Sequence, residues 1–280
     1  MLTESLAIKY ERLQNALCAM RSVLIAFSGG VDSALLFKVA ADVLAKDRIL
    51  AVTLRSHTMP ASELDEAAGL AAKLSVPHLV FDSSEMESVD FTSNTADRCY
   101  VCKRIRFLEL IRLAKDRGIP HVVEGSNQDD QSDYRPGMRA LRELNVRSPL
   151  SEAELTKAEI RLLSRKLGLP TWNKPSAACL ASRIPYGAEI TAEKLQQIAL
   201  CEHFLHREKL AEQVRVRHYG DTARIEVDAA CLPHLTEPAT RMKLLGFFKQ
   251  AGFKFVTLDL EGYQMGSLNR ALNQERAESG

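Results

Sequence analysis

Five apolar residues, Val23-Leu24-Ile25-Ala26-Phe27, run without interruption into Ser28-Gly29-Gly30-Val31-Asp32-Ser33, and apolar residues at helical spacing follow from Ala34 to Leu44. The first run has no polar alternation and reads as a buried strand. Two glycines between a buried strand and a helix let the backbone approach an anion closely. The free N–H groups and the positive dipole end of the helix point at that anion. The turn is therefore built for phosphate. It lacks the Lys-Ser/Thr pair that reaches terminal phosphates and magnesium in the lysine-bearing phosphate loop. Ser28 and Ser33 offer hydroxyl donors, and Asp32 offers a carboxylate for Mg2+, directly or through water.

The same alternation continues along the chain. A helix over 5–20 carries Leu6, Leu13, Leu17 and Met20; strands follow at Ile49–Leu54, His78–Phe81 and His121–Glu124. Helices are expected at Ser62–Leu74, where Asp65 follows a capping Ser62, at Lys103–Arg117, and from Ser151 or Thr156, each with Glu three residues on. Leu167-Gly168-Leu169-Pro170 ends that last helix. Strands alternating with helices predict an α/β fold with a doubly wound parallel sheet covered on both faces. After Pro185-Tyr186-Gly187 the pattern changes to a helix over 192–207, strands Val214–His218, Ala223–Val227 and Phe253–Leu260, and a helix over 236–251. That is a second, smaller α+β domain. With 280 residues against ~150 for a usual domain, the expected domains are 1–187 and 188–280.

Composition narrows the class. Thirty-seven Lys and Arg against 36 Asp and Glu leave a net charge of +1, without the basic surplus of an obligate nucleic-acid binder. The first residues lack a signal-peptide pattern, and no apolar run approaches the ~20 residues of a membrane span, so a cytoplasmic location without membrane contact is expected. Six cysteines are too few for a disulfide scaffold. In a reducing compartment the clustered ones point to metal or redox chemistry.

Cys99-Tyr100-Val101-Cys102 places two thiols close enough for one metal centre, with Lys103, Arg104 and Arg106 alongside to favour the thiolates. A third, Cys179, lies in a small-residue stretch, Ser176-Ala177-Ala178-Cys179-Leu180-Ala181-Ser182-Arg183. A C-x2-C pair with one distant cysteine can hold three irons of a [4Fe–4S] cluster and leave the fourth open. Structural zinc, a redox dithiol or persulfide pair partnered by Cys179, and three inert buried thiols are the alternatives. Cys18, Cys201 and Cys231 sit in apolar helical contexts and read as core thiols.

The full hexapeptide after the first strand resembles the signature of the PP-loop ATP pyrophosphatases, over about residues 20–180. The resemblance implies a fold of the adenine nucleotide α-hydrolase type and cleavage of ATP between its α and β phosphates to adenylate a substrate. It implies a nucleotide site of Ser28, Gly29, Gly30, Asp32 and Ser33, with adenine against Leu54-Arg55-Ser56 and Glu124-Gly125-Ser126 closing over it. Ser56 and Gly125 are the expected contacts.

Further stretches narrow the likeness: Ser132-Asp133-Tyr134-Arg135-Pro136-Gly137, Arg147-Ser148-Pro149-Leu150, Trp172-Asn173-Lys174, Ser182-Arg183-Ile184-Pro185-Tyr186-Gly187, Arg215-Val216-Arg217 and Ala223-Arg224-Ile225-Glu226. Together they resemble the LarE family, the sulfur-insertion enzymes of nickel-pincer nucleotide cofactor biosynthesis. Members adenylate the carboxylates of pyridinium-3,5-biscarboxylic acid mononucleotide and convert them to thiocarboxylates. One type consumes the sulfur of a single cysteine, which falls where this chain has Ala178; the other holds a [4Fe–4S] cluster on three cysteines, and this chain resembles the second. The resemblance implies Asp32, Cys99, Cys102 and Cys179 as catalytic residues, the three cysteines as cluster ligands, and sulfide from a donor carried on the open iron. Arg183, Arg215 and Arg217 are candidates for gripping the substrate's phosphate or second carboxylate, because guanidinium forks match both. Arg215 and Arg217 share one face of an alternating strand, a face usually solvated; Tyr134 and Arg135 are further candidates within a turn-like stretch. The smaller domain is expected to serve a homo-oligomer.

The competing reading is a [4Fe–4S]-dependent tRNA thiolation enzyme, with Lys103, Arg104, Arg106, Arg112, Lys115 and Arg117 as an RNA-binding stripe. The balanced charge, the absence of a cysteine-rich zinc module and Val31, where cluster-bearing RNA thiolases usually carry Lys, argue against it.

Overall fold

A computed structural model describes residues 3–59, 62–131, 136–175 and 179–264. In chain order these form α1 (Glu4–Met20), β1 (Val23–Ala26), α2 (Val31–Val43), β2 (Ile49–Arg55), α3 (Ser62–Leu74), β3 (His78–Asp82), α4 (Val89–Thr92), α5 (Arg98–Asp116) and β4 (His121–Val123). Then follow α6 (Pro136–Glu143), α7 (Pro149–Glu152), α8 (Lys157–Lys166), α9 (Ala192–Arg207), β5 (Val214–Tyr219), β6 (Thr222–Val227), α10 (Leu232–Thr236), α11 (Pro238–Gln250) and β7 (Phe255–Leu258). Packing divides the chain into two compact units, Met1–Glu87 with Cys99–Ala177, and Ser88–Arg98 with Ala178–Gly280.

The first unit is the expected α/β layer. Four strands run parallel in the order β3-β2-β1-β4, with Val23 opposite Ile49 on one side and His121 on the other. Alternate residues of β1 feed two cores. Val23 and Ile25 join Leu13 and Leu17 of α1 and Leu35 and Leu36 of α2, whereas Leu24 joins Phe107 and Leu110 of α5 and Leu141 of α6. A strand packed on both faces has no solvent side to mark with polar residues, hence its unbroken apolar run. From β1 the chain moves outward through β2 to β3, then returns to the far side of β1 for β4. The order reverses between β1 and β4, where open α/β sheets leave a crevice at the strands' carboxyl ends.

Of the two expected starts for the helix after residue 150, Thr156 is the one used. Its hydroxyl accepts from Glu159 N while the Glu159 carboxylate accepts from Thr156 N at 2.9 Å, a reciprocal cap on α8. Ser151 lies inside the short α7 instead. Gly168, at φ +68°, follows the end of α8, as its position in the sequence predicts.

In the second unit β5 and β6 form an antiparallel hairpin and β7 pairs parallel to β6, around a core that includes Cys201, Phe204, Val216, Ile225 and Phe248. The segment Ser88–Arg98 belongs to this unit. Buried Asn94 donates from its amide to the carbonyls of Pro185 (2.7 Å) and Ala188 (2.9 Å), and Arg98 donates to Ala181 O at 3.0 Å. Among the six cysteines only Cys201 is a core thiol; burial, with Glu202 beside it, pushes it up to about 12. Cys18 is exposed, on the side of α1 opposite its buried leucines, and Cys231 is half-buried. Among the described residues no helix is long and apolar enough to cross a membrane.

Thr156→Ala removes one half of the cap on α8. It is expected to lower stability by ~1 kcal/mol in urea denaturation; an unchanged midpoint would show that packing alone sets the start of that helix.

Candidate functional site

The loop between β1 and α2 is formed as its glycines require. Gly29 sits at φ +73°, and a Cβ there would come within 3.3 Å of Glu63 O. Gly30 is the N-cap of α2 with no side-chain hydrogen bond to the first turn, so its amides stay available. Ser28 and Ser33 share a hydrogen bond between hydroxyls at 3.1 Å, and Ser33 also donates to Gly30 O at 3.2 Å. Gly125, just past β4, makes the closest approach: a Cβ would lie 2.9 Å from Ser33 N and 3.2 Å from Asp32 C. Only glycine lets the end of β4 pass the first turn of α2. The result is a cleft of about 280 Å³ lined by Ser28, Gly30, Asp32, Ser33 and Gly125, with Lys103, Arg106, Phe107 and Leu110 of α5 as the opposite wall.

Charges around the loop are tightly arranged. One Asp32 oxygen accepts from the Asn127 amide at 3.2 Å and the other takes the Lys157 ammonium. Lys174 sits across Gly29, 3.4 Å from its carbonyl oxygen, and pairs with Glu66 (2.7 Å) and Glu63 (3.5 Å). Burial raises the Glu63 carboxyl above its ordinary range, opposed by the Lys174 charge. Buried Glu124 accepts from Ser126 N (2.9 Å), the Ser126 hydroxyl (2.8 Å) and the Ser148 hydroxyl (2.5 Å), and meets Lys103 at 3.5 Å. Ser56 is used locally. It donates to the buried Glu85 carboxylate and accepts from Thr58 N at 3.0 Å, while Thr53 and Leu54 carry the end of β2 into the cleft.

Cys99 and Cys102 stand near the start of α5, neither in a disulfide, Cys99 exposed and Cys102 half-buried. The cleft-lining residues of α5 recur at 103, 106, 107 and 110, a stripe at helical spacing. Positions 99 and 102 extend that stripe by one turn, so the sulfur pair lies along the helix face that walls the cleft. Cys179 is free and exposed in the second unit. Among the described residues no three His, Cys, Asp or Glu side chains are assembled for a metal ion. As chemistry, three accessible thiols suit a cluster with one open iron, whereas structural zinc normally takes four ligands.

The arginines fall into two kinds. Arg183 is almost fully buried in a forked pair with Glu202 (2.7 and 3.0 Å), and Arg217 likewise with Glu226 (2.9 and 2.7 Å), donating also to Ser182 O at 2.8 Å. The face expected to be solvated is therefore covered, because β5 is buried on both sides by its carboxylate partners and by the segment after Cys179. Arg215 differs. It lies over the Tyr263 ring at 4.9 Å and donates to Val214 O, and among the described residues it has no carboxylate partner. Burial, then the adjacent Arg183 charge, lowers its guanidinium below the usual value. Cys179 belongs to this cluster, its carbonyl accepting from the Ser182 hydroxyl at 2.7 Å and from Arg183 at 3.4 Å. Tyr134 and Arg135 lie outside the described residues.

The sequence reading missed Lys157, Lys174, Glu202 and Glu226 as parts of these sites. Lys174 and Glu226 sat in quoted stretches without a role; Lys157 and Glu202 carry no local signal.

A model of the PP-loop domain family matches residues 2–155. An uncharacterized protein of Synechocystis sp. is 42% identical over 95% of this chain and 98% of its own length. The pyridinium-3,5-bisthiocarboxylic acid mononucleotide synthase of Lactiplantibacillus plantarum is 35% identical over 96% of this chain and 97% of its own. A tRNA-specific 2-thiouridylase of Desulforamulus reducens is 26% identical over only 56% of this chain and 53% of its own.

Gly125→Ala is expected to cost ~1–3 kcal/mol in thermal denaturation through overpacking, and to abolish ATP binding in calorimetry. Gly69→Ala, where a Cβ meets nothing within 4 Å, is the control and leaves binding unchanged. Arg217→Ala removes one of the two arginines that pair with the fully buried Glu226 carboxylate, leaving Arg224 at 2.9 Å, and should cost ~1–3 kcal/mol. Arg12→Ala breaks an exposed pair and should cost under ~1 kcal/mol.

Proposed function

This chain belongs to the PP-loop family and, within it, to the LarE family, and from that premise we propose an ATP-dependent sulfurtransferase that adenylates the carboxylates of pyridinium-3,5-biscarboxylic acid mononucleotide and converts them to thiocarboxylates. The observation that carries the reading is the phosphate cradle of Ser28, Gly29 and Gly30 closed by Gly125 at the reversal of strand order.

A carboxylate resists sulfide because its carbonyl carbon is electron-rich and its leaving group is oxide. Transfer of AMP to that oxygen supplies a better leaving group. The α2 amides and the Ser28 and Ser33 hydroxyls hold the β and γ phosphates, so the substrate oxygen attacks the α phosphorus in line as pyrophosphate leaves. The step relies on positioning and charge neutralisation and needs no protein nucleophile. Asp32 would hold Mg2+, which would neutralise charge on the phosphates. Arg215 binds the substrate's phosphate or second carboxylate. Arg183 and Arg217, locked by Glu202 and Glu226, fix the frame around it. Cys99, Cys102 and Cys179 would hold a [4Fe–4S] cluster, which would carry hydrosulfide from a donor as a nucleophile near neutral pH.

Two features favour this over tRNA thiolation. Lys103 and Arg106, two of the six basic residues of the stripe on α5, turn into the cleft toward Glu124 and Glu85, which splits the stripe between cleft and solvent. The thiouridylase likeness also stops at about half of the chain.

Incubation with ATP and the biscarboxylate mononucleotide should yield AMP and pyrophosphate, and ADP as the product would overturn the reading. Anaerobically reconstituted protein should bind about four irons per chain. Cys99→Ala, Cys102→Ala and Cys179→Ala should each abolish the brown chromophore, and zinc without iron would refute the cluster. Arg215→Ala should raise KM for the mononucleotide about tenfold to a hundredfold with kcat little changed, as loss of a charge-assisted hydrogen bond requires.

A further inference from the structure

We infer that Thr53 sets base specificity in the nucleotide cleft: oriented by His78, its hydroxyl takes the Phe27 carbonyl and leaves the main chain of Leu54 to read the edge of a 6-aminopurine. The inference rests on the ATP reading of the cleft and adds to it the device that presents the end of β2.

Thr53 is the one polar residue in the run Ile49–Leu54 and is 1% exposed. A hydroxyl so deeply buried needs hydrogen-bond partners. It donates to Phe27 O at 2.6 Å and stands 2.8 Å from His78 Nε2. A carbonyl can only accept, so the single hydroxyl proton goes to Phe27 and the histidine donates from Nε2. Burial lowers the His78 ring below its ordinary titration range, which keeps it neutral, and the Phe27 ring meets it edge-on with centroids 5.9 Å apart. The hydroxyl therefore has one orientation.

That orientation decides how β1 parts from β2. Pairing ends with Ala26 opposite Val52, and Phe27 N donates to Val52 O at 2.8 Å. In a continuing parallel ladder the next bond would run from Leu54 N to Phe27 O. The Thr53 hydroxyl takes that oxygen instead, and among the described residues Leu54 N makes no rung to β1. Ala51 N donates toward β3, to Pro77 O at 3.0 Å, so by alternation the main-chain groups of Leu54 point to the opposite side, where β1 has ended. Leu54 O accepts from Arg106 Nη2 at 3.2 Å, and both residues line the cleft. One N–H beside one C=O matches the ring nitrogen and amino group of a 6-aminopurine. A 6-oxopurine would set donor against donor and acceptor against acceptor, a mismatch that a hydrogen-bonding site rejects strongly.

Titration calorimetry on the full chain tests this with ATP, inosine triphosphate and inorganic tripolyphosphate, each with Mg2+. Wild type should prefer ATP over inosine triphosphate about a hundredfold or more. In Thr53→Val the hydroxyl is gone, Leu54 N can close the rung to Phe27 O, and the preference should fall about tenfold or more while tripolyphosphate binds as before. Thr53→Ser, which keeps the hydroxyl, should restore the preference. Thr53→Ala makes the same comparison if the valine variant proves unstable in thermal denaturation. His78→Leu should lower the preference in the wild-type background and add nothing in Thr53→Val; an equal loss in both backgrounds would overturn the relay from His78. An unchanged preference in Thr53→Val and Thr53→Ala, or a loss of tripolyphosphate binding in step with that of ATP, would reduce Thr53 to a structural residue and overturn the inference. Wild type that binds ATP and inosine triphosphate equally would also overturn it, with the ATP reading left standing. Failure of wild type to bind any of the three ligands would instead refute the ATP reading itself.

Discussion

Everything at the nucleotide end of this protein depends on one close approach, the passage of Gly125 against the first turn of α2. Helix-start amides can serve a polyanion only if no side chain caps them and if neighbouring backbone comes near enough to enclose the ligand. Gly30 as N-cap meets the first condition and Gly125 the second. The approach exists because β4 returns to pair with β1 on the side away from β2, which brings the two strand ends together where the order reverses. The topology delivers the two loops, and the absence of a Cβ at one position turns their proximity into a site.

Charge is handled differently in the two units, and burial decides which pairs matter. Around the phosphate loop the ion pairs are partly exposed, individually weak and able to exchange. In the second unit Arg183 with Glu202 and Arg217 with Glu226 are sealed, so each is costly to break but contributes little by itself relative to an apolar pair. Their value lies in geometry. With Arg183 and Arg217 committed, Arg215 sits beside fixed positive charge and, among the described residues, forms no ion pair of its own. A weak, movable arrangement suits phosphates that arrive and leave; a rigid one suits recognition of an anionic substrate whose reacting carboxylate must be held still.

The parts legible in the sequence are those whose cause is local. The unbroken apolar run of β1, the glycine pair and the hairpin strands follow from residue spacing, and the structure forms them where that spacing places them. Ambiguity entered where two local signals were equivalent: Ser151 and Thr156 both precede a glutamate by three residues, and only tertiary contacts select Thr156. Alternation in Val214–His218 revealed a polar face on β5 but could not show that Glu226 and the chain after Cys179 cover it. Lys157 and Lys174 were invisible as site residues. Their roles arise from contacts with residues 125 and 145 positions earlier in the chain, which no local pattern encodes.

The nucleotide cleft and the C-x2-C pair share one helix, α5. In the proposed reaction an acyl-adenylate is vulnerable to water, which favours a sulfur nucleophile held close to the adenylation site. On α5 that proximity is set by helix geometry alone, since residues one turn apart on a common stripe are separated by ~5–6 Å. Cys102 stands one turn before Arg106, and Cys99 one turn before Lys103, with both basic residues lining the cleft. Phe107 and Leu110 bury the same helix against β1 and β2, so the stripe cannot rotate without opening the core beneath the sheet. The packing that stabilises the fold thereby fixes Cys99 and Cys102 in register with the residues of α5 that wall the cleft.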